Sequence, residues 1–458
     1  MQLHLYNSLT RSKELFTPIN QENIGLYVCG PTVYDRPHIG NARSVVVYDL
    51  LYRLLCHVYG TNHVIFVRNI TDVDDKINDR AKELGVTIKE LTIKTTELFH
   101  ADMEYLKCLA PNIEPRATEN IAEMIDIIQK LVAKSHAYVQ NQHVYFDVTS
   151  FVDYGALSGR RLEEMIAGSR VEIEEAKRHP GDFVLWKPVD KDDDPSSIFD
   201  SPWGQGRPGW HIECSAMSHR FLGEDFDIHG GGADLMFPHH TNEIAQSCCA
   251  FSESKFARYW VHNGFLTVGG DKMSKSLGNF TTIHDLIEKG VKGEVIRYCF
   301  LSSHYRKPLD FNDKAIYDAT ESLNYLYRAV GNVDTQDADI DSEFISYLLD
   351  DMNTAEALTY LHLKAKELHK TSDDKAKFVL ASSIKNAARF LGFLNQSSDE
   401  WFGTNIDDVA IQKLIDERKI AKTNRDWSRA DQIRSELLAR GIVLEDSPDG
   451  SVAVRRLV

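Results

Sequence analysis

The sequence predicts an α/β protein in which a parallel-sheet domain, divided by an insertion, precedes a helical bundle and a small mixed α/β C-terminal domain. Three observations predict it. A strand, a helix and a second strand follow one another over residues 25–67. Helical periodicity dominates residues 313–393, and the last fifty residues predict a helix followed by short strands.

The first of these segments has clear boundaries. Residues 25–30 predict a short buried strand that leaves through a glycine, and apolar residues then recur at helical spacing from Gly40 to Val58. Gly60 is a stop signal, and residues 63–67 predict the next strand. Strand, helix and strand in this order indicate a parallel βαβ unit, whose ligands bind at the carboxyl ends of the strands.

Three polar residues fall where such a ligand is expected. Cys29 and Thr71 lie just beyond the ends of the two predicted strands, and His38 lies close to the start of the helix. A helix N-terminus favours phosphate through its free N–H groups and its dipole. Taken alone, His38 would more often be a structural histidine whose hydrogen bonds are satisfied.

The rest of the chain predicts an insertion, the second half of the sheet and a helical C-terminal part. The predicted elements are helix 119–135, acidic turn 190–195, strand 225–229, glycine turn 230–232, helix 239–251, strand 259–262, a helical region to residue 303, acidic loop 334–343, linker 396–408 and a final turn at 448–450. The predicted domain limits are 1–110 and 201–265 for the two sheet halves, 111–200 for the insertion, 266–310 for a linking region, 311–400 for the bundle and 401–458 for the last domain.

Composition excludes several classes of protein. Apolar residues make up 43% and charged residues 26% of the 458 positions, which is typical of a folded globular chain. Asp49, Arg53 and His57 interrupt the best candidate membrane span, and the N-terminus shows no secretory signal. Seven cysteines without a compact framework indicate the cytoplasm. A net charge of −16 argues against a general nucleic-acid coat but not against a local binding patch.

Two short motifs point to ATP. Residues 272–276 read Lys-Met-Ser-Lys-Ser and supply two ammonium groups, and residues 38–41 read His-Ile-Gly-Asn just before a helix. In this order and separation they resemble the signatures of class I aminoacyl-tRNA synthetases, which implies a Rossmann-type sheet. The resemblance implies ATP contacts from His38, Gly40, Asn41, Lys272, Ser274 and Lys275, with His38, Asn41, Lys272 and Lys275 catalytic. Asn41 replaces the last histidine of the signature, so it can donate a hydrogen bond but cannot carry a charge.

A second group of residues could hold a metal. His239 and Glu243 lie four apart in a predicted helix, which puts both side chains on one face, and Cys29 and Cys214 are possible thiolate ligands. Zinc favours thiolate and imidazole and accepts carboxylate. Spacing alone does not join Cys29 to Cys214, because a lone cysteine in a reducing compartment is usually a small buried apolar residue.

Longer matches resemble the cysteinyl-tRNA synthetase family. They occupy residues 27–35, 68–76, 209–215, 229–235 and 238–243, in the order of the family. The resemblance implies one zinc per chain on Cys29, Cys214, His239 and Glu243, with the substrate thiolate joining that metal. It further implies a cysteine pocket of Thr71, Trp210, His229 and Asp234, Mg²⁺ with ATP, and anticodon contacts from Trp427 and Asp446. Trp427 could stack on a base or pack into a core.

A metal explains how cysteine is told from serine. Sulfur and oxygen differ little in size, and apolar pockets reject near-isosteres by only roughly a hundredfold. Zinc prefers a soft thiolate to a neutral hydroxyl, so selection rests on bonding rather than volume. A separate editing domain is then unnecessary, and no segment of the sequence requires one.

The resemblance therefore implies a monomeric enzyme that joins L-cysteine to tRNA-Cys through an adenylate, and the cysteine usage indicates that it is cytoplasmic. Two alternatives remain open. A related ligase would pass cysteine from the adenylate to an amino sugar, but it has no use for residues 401–458. A non-catalytic, zinc-stabilised RNA-binding protein would gain little from residues 272–276.

Overall fold

The computed structural model describes most of the chain. The described residues are 2–159, 177–191, 193–273, 279–333, 340–403, 409–439, 442–446 and 452–456. The strands are β1 His4–Asn7, β2 Ser12–Leu15, β3 Ile24–Val28, β4 Val64–Arg68, β5 Ala137–Gln140, β6 His143–Phe146, β7 Phe183–Pro188, β8 Gly206–Pro208, β9 Phe226–Gly232, β10 Ala257–Asn263, β11 Leu266–Val268, β12 Asp271–Lys272, β13 Leu309–Phe311, β14 Ile442–Asp446 and β15 Val452–Arg456.

The α-helices of the described residues follow in chain order. They are α1 Ile39–Tyr59, α2 Asp75–Leu84, α3 Ile88–Tyr105, α4 Ile121–Ala133, α5 Trp210–Leu222, α6 Thr241–Ala250, α7 Ile283–Glu288, α8 Gly293–Leu301, α9 Asp313–Val330, α10 Ser342–Leu349, α11 Thr354–Lys370, α12 Asp374–Phe390, α13 Ser398–Phe402, α14 Val409–Thr423 and α15 Trp427–Ala439. None of these helices has the length and apolar character needed to cross a membrane.

The central sheet is parallel, as the sequence predicts. Its strand order is β10-β9-β3-β4, so strands from both halves of the chain lie side by side. All five residues of β3 are buried, which fits a strand covered on both faces. The parallel βαβ unit is thereby confirmed, and the carboxyl ends of four strands meet at one edge.

Helix α1 matches its prediction closely. His38 caps its N-terminus, and Gly60 ends it with a φ of 96°, a conformation that favours glycine. The side of the helix that faces the sheet is buried, and the Tyr48 hydroxyl lies 2.6 Å from the Val261 carbonyl and accepts the Gly231 N–H at 2.6 Å. These contacts fix the helix directly above β9 and β10.

The predicted glycine turn at residues 230–232 is wrong. These glycines form the end of β9 instead. A Cβ on Gly230 would lie 2.3 Å from the Tyr48 ring, so the missing side chain is needed for the helix to approach the sheet. The glycines therefore serve close packing within the strand rather than a reversal of the chain.

The insertion contains more sheet than the sequence indicates. The predicted helix is present as α4, and β5, β6, β7 and β8 form a separate antiparallel sheet in that order. Its last strand lies beyond residue 200, the predicted end of the insertion. The short strands escaped prediction because an isolated apolar run of four residues has no distinctive period.

The C-terminal half is helical, with three corrections. The predicted linker 396–408 contains helix α13, which Ser397 caps and whose Trp401 is buried. The predicted loop 334–343 ends early because α10 starts at Ser342; residues 334–339 lie outside the described part, as does the predicted turn 448–450. The single helix expected in the last domain is two helices, separated where Arg425 has a φ of 57°.

Candidate active site and metal centre

The site residues predicted from sequence lie at the carboxyl edge of the parallel sheet. Cys29 follows β3, Thr71 follows β4, and Asp234 follows β9 by two residues. Helix α1 begins at the same edge, after His38. Ligands of open α/β sheets bind outside the carboxyl ends of the strands, so the topology itself assembles these groups.

His38 has a defined tautomer. Its Nδ1 accepts hydrogen bonds from the backbone N–H groups of Gly40 at 3.1 Å and Asn41 at 3.2 Å. The ring proton therefore lies on Nε2, which is left as a donor for a ligand. Burial lowers the pKa of His38, with the Asp234 carboxylate opposing that effect, so the ring acts as a neutral donor.

Gly40 and Asn41 complete the first turn of α1. A Cβ on Gly40 would lie 2.9 Å from the His38 ring and 3.1 Å from the Met273 methyl group, so glycine lets both side chains close over the helix start. Asn41 Oδ1 accepts the His38 N–H at 3.3 Å. Toward a ligand, Asn41 can therefore offer its amide N–H groups, which is the donor role expected from the sequence.

The four predicted metal ligands come together in space. The candidate ligand atoms of Cys29, Cys214, His239 and Glu243 all lie within 4.8 Å of one another. The two Sγ atoms are 3.6 Å apart, and His239 Nε2 is 3.1 Å from Glu243 Oε1. Three of the four residues are buried, and Cys29 is partly buried. His239 precedes α6 rather than lying within it, but the two side chains still meet.

This donor set fits a divalent cation. Burial, and then the neighbouring Cys214 and Glu243, raise the pKa of Cys29 well above its usual range, and burial also raises the pKa of Glu243 well above its own. Burial lowers the pKa of His239 well below its usual value. Two sulfurs, a neutral imidazole and a carboxylate in one buried cluster are a donor set that suits zinc.

Further histidines surround the cluster, and sequence reasoning missed their roles. His229 Nε2 lies 2.8 Å from Glu243 Oε2, and His211 Nδ1 lies 2.9 Å from His239 Nδ1. Each contact holds a candidate ligand side chain through the atom that does not face the cluster, as is common around metal sites. Cys29, His229, His240 and Glu243 form an overlapping candidate set, but it lacks the second cysteine. The only sequence signal for a further histidine near the cluster was that His240 directly follows His239.

The predicted cysteine pocket borders this cluster. The Trp210 ring stacks on His239 at 4.0 Å and remains 38% exposed, so it covers one ligand and faces solvent. Thr71 is buried; its hydroxyl donates to Glu213 at 2.8 Å and accepts from Asn69 at 3.2 Å. A Cβ on Gly232 would lie 2.3 Å from Asp234 Oδ1, so glycine makes room for that carboxylate. His229 is fully buried against Glu243 rather than open to the pocket.

The remaining predicted residues are placed only in part. The backbone of Lys272 pairs with Thr267 in the β11–β12 hairpin, while Ser274 and Lys275 lie outside the described residues. Trp427 starts α15 and is 59% exposed, which excludes it from the core of that domain. Asp446 ends β14 opposite Val452. The core of that domain consists instead of Ile411, Ile433, Leu437, Ile442 and Leu444.

Family models match three consecutive parts of the chain. The catalytic domain of class I (C) tRNA synthetases matches residues 15–321. A DALR domain matches residues 343–396, and the cysteinyl-tRNA ligase anticodon binding domain matches residues 408–455. The matches cover both the sheet edge described above and the C-terminal domain.

Relatives match over the whole chain. A cysteine--tRNA ligase of Rickettsia felis is 56% identical over 456 residues, covering 100% of this chain and 99% of the relative. That of Rickettsia canadensis is 57% identical over 453 residues, covering 99% of each. Domain order and length are therefore shared as well as motifs.

Solved structures support the fold. Mycobacterium tuberculosis methionyl-tRNA synthetase in complex with methionyl-adenylate superposes with a TM-score of 0.55 at 15% identity, covering 81% of this chain and 89% of that one. The Agrobacterium radiobacter K84 LeuRS in a complex with tRNA and LeuAMS gives 0.55 at 11% identity and 86% coverage of each. From the family models and the full-length relatives, the chain belongs to the cysteine--tRNA ligase family of class I aminoacyl-tRNA synthetases.

Proposed function

We propose that this protein activates L-cysteine with ATP and transfers it to tRNA-Cys. One observation carries the proposal: a buried cluster of two cysteines, a histidine and a glutamate lies at the same sheet edge as a helix start that presents a neutral imidazole. The first feature suits a soft sulfur ligand and the second suits a phosphate. A single small substrate with a thiol and a carboxylate would offer one group to each of these features.

The metal selects the side chain in this proposal. Cys29, Cys214, His239 and Glu243 would hold one zinc per chain, and a bound zinc would favour a thiolate over the hydroxyl of serine. His211 and His229 keep His239 and Glu243 in place from behind. Trp210 closes the pocket above His239, while Thr71 and Asp234 border it and orient the substrate amino group.

The first chemical step is attack of the cysteine carboxylate on the α-phosphate of ATP, which enters with Mg²⁺. A bond forms between the carboxylate oxygen and phosphorus, and pyrophosphate leaves. His38 donates from Nε2 and Asn41 from its amide, while Lys272 and Lys275 supply positive charge and Gly40 and Ser274 contact the nucleotide. The residues act by position and electrostatics, without a covalent bond to the protein.

The second step transfers the cysteinyl group. The 2′-hydroxyl of the terminal tRNA adenosine attacks the carbonyl carbon of the adenylate, and AMP leaves. We assign the two chemical steps to the sheet halves 1–110 and 201–265 with the loop region 266–310, and tRNA contact to the bundle 311–400 and the domain 401–458. The enzyme acts as a cytoplasmic monomer in this proposal.

Cysteine-dependent exchange of pyrophosphate into ATP, followed by charging of tRNA-Cys, tests the proposal. Exchange with cysteine and not with serine is expected, and the cysteine should then appear on tRNA. Exchange without tRNA charging, but with transfer to an amino sugar, would establish the alternative ligase. Absence of exchange altogether would leave a binding protein. The match of residues 408–455 to an anticodon-binding domain favours the tRNA ligase.

Removal of the last domain should separate chemistry from tRNA recognition. A chain that ends after residue 403 keeps the sheet edge and the bundle, and loses a domain with its own small core. Pyrophosphate exchange should persist, whereas kcat/KM for tRNA should fall steeply because the anticodon lies far from the acceptor end. Undiminished charging by the shortened enzyme would contradict this role.

Trp427→Ala tests the base contact within that domain. Because the indole is exposed, we expect the variant to lose roughly 1–3 kcal/mol of tRNA binding, the typical value of one stacked base. Its melting temperature should stay unchanged. Substitution of the buried Leu437 by alanine is the control, because it should lower the stability of this domain first. Normal tRNA affinity in Trp427→Ala would exclude stacking.

A further inference from the structure

Helix α1 carries a buried arginine one turn after its N-cap. Arg43 is 0% exposed, and its guanidinium group contacts four backbone carbonyls. Nη1 donates to Gly264 at 2.8 Å and to Phe265 at 2.8 Å. Nη2 donates to Tyr305 at 3.3 Å and to Lys307 at 2.7 Å. One side chain thus joins two segments that are about forty residues apart along the chain.

The arrangement is unusual for a residue that only fills space. Within the described part of the chain, no carboxylate forms an ion pair with Arg43, and its Nε lacks a hydrogen-bond partner. Burial lowers the pKa of Arg43 to about 10, which still leaves it charged at neutral pH. A buried charge is costly unless its hydrogen bonds are satisfied, and an apolar residue of similar size would avoid that cost.

The four carbonyls border the strands that lead to the ATP motif. Gly264 and Phe265 immediately precede β11, which pairs with β12, the strand that contains Lys272. Tyr305 and Lys307 precede β13, which runs parallel to β11. A Cβ on Gly264 would lie 2.6 Å from the Lys307 carbonyl oxygen, so the two segments touch where Arg43 joins them.

The N-terminal end of α1 also contacts the residues that follow the motif at 272–276. The Ile39 N–H donates to the Thr281 carbonyl at 3.0 Å, and the His38 ring meets the Phe280 ring edge-on at 5.4 Å. The first two turns of α1 therefore contact the chain both before Lys272 and after residue 278.

We propose that Arg43 is a positioning residue for adenylate formation: it fixes the β11–β12 hairpin against α1 and so sets Lys272 relative to His38 and the α-phosphate of ATP. This role rests on the proposed function. Arg43 acts through the backbone of the hairpin and contacts no substrate. Its substitution should disturb charge stabilisation in the transition state while leaving cysteine binding, which depends on the metal cluster, intact.

Arg43→Lys is the first test, because lysine keeps the charge but cannot reach both segments in the same geometry. The expected result is a kcat for pyrophosphate exchange lower by about 10- to 100-fold, the usual effect of a small misplacement of a catalytic group. The KM for cysteine and the zinc content should not change. Wild-type exchange with cysteine, measured alongside, tests the proposed function separately.

Arg297→Lys is the matched control. Arg297 is also 0% exposed on a helix, and it donates to the Leu106 carbonyl at 3.1 Å and to the Leu391 carbonyl. Unlike Arg43 it also forms an ion pair, with Asp49 of α1, and none of these partners belongs to the β11–β12 hairpin. We expect Arg43→Lys and Arg297→Lys to lower the melting temperature by similar amounts, but only Arg43→Lys to lower kcat. An equal loss of kcat in both variants would overturn the proposal, because general loosening would then explain the effect.

A double-mutant cycle identifies the route. If Arg43 acts by placing Lys272, Arg43→Lys should cost much less in a Lys272→Ala background than in the wild type. Equal losses in both backgrounds would overturn the proposal. If Arg43→Lys does not fold, Gly264→Ala replaces it in the same cycle, since the added methyl group separates the two joined segments and leaves Arg43 intact. Coupling with Lys272 supports the proposal, and its absence overturns it.

Discussion

Cys214→Ser should abolish the proposed zinc binding of this enzyme and with it most of the expected preference for cysteine over serine. Cys214 is buried beside Cys29 and Glu243 and contributes one of two sulfurs to the cluster. A hydroxyl in its place is a far weaker zinc ligand than a thiolate. Selection would then depend on the shape of the pocket, which rejects a near-isostere by only roughly a hundredfold.

Metal analysis of the purified proteins checks this directly. We expect about one zinc per wild-type chain and a clear loss in Cys214→Ser, as for a site that loses one of its ligands. Cys249→Ser is the control, because Cys249 is also a buried cysteine but lies outside both candidate donor sets. It should retain both zinc and selectivity. Full activity and unchanged rejection of serine in the metal-free protein would exclude the proposed role of zinc.

Local patterns predicted the sheet and its first helix well. The helix from residue 39 to residue 59 has apolar residues at helical spacing, and Gly60 needs a positive φ to end it. Such signals depend on neighbouring residues only, so they are visible before the chain is folded. The glycines at 230–232 show the limit of this approach. A glycine in the sequence indicates that another group packs closely against the backbone at that position. Only the fold shows that this group is the Tyr48 ring.

The metal cluster could be predicted only because a family resemblance supplied the distant members. Cys29 and Cys214 are 185 residues apart, and no spacing rule connects residues across that distance. No sequence signal predicted the supporting roles of His211 and His229. Each histidine contacts a candidate ligand that lies on another segment of the fold. Arg43 was missed for a related reason. A charged residue in the second turn of a helix suggests a solvent-facing position, and only the fold shows that it is buried.

Lys275→Ala should lower kcat for adenylate formation by roughly a hundred- to thousandfold, the usual cost of losing one electrostatic contact in a transition state. Lys275 itself lies outside the described residues. Its proposed role is supported by Met273, which lies close to the first turn of α1, and by Phe280, which contacts His38, so that the described residues on both sides of Lys275 lie at the start of α1. Negative charge grows on the α-phosphate during attack, so the loss should appear in kcat more than in KM.

Pyrophosphate exchange with saturating cysteine measures the loss of kcat, and a melting curve measures the stability of the variant. The melting temperature should not change, since a charged lysine side chain adds little to a hydrophobic core. Lys314→Ala provides the control because the Lys314 side chain is 80% exposed and forms an ion pair with Asp318 on the same helix, α9. Near-normal exchange by Lys275→Ala would mean that its ammonium group stays in solvent during the reaction. Of the two proposed lysines, only Lys272 would then stabilise the negative charge on the α-phosphate, and the effect of Arg43→Lys should be correspondingly larger.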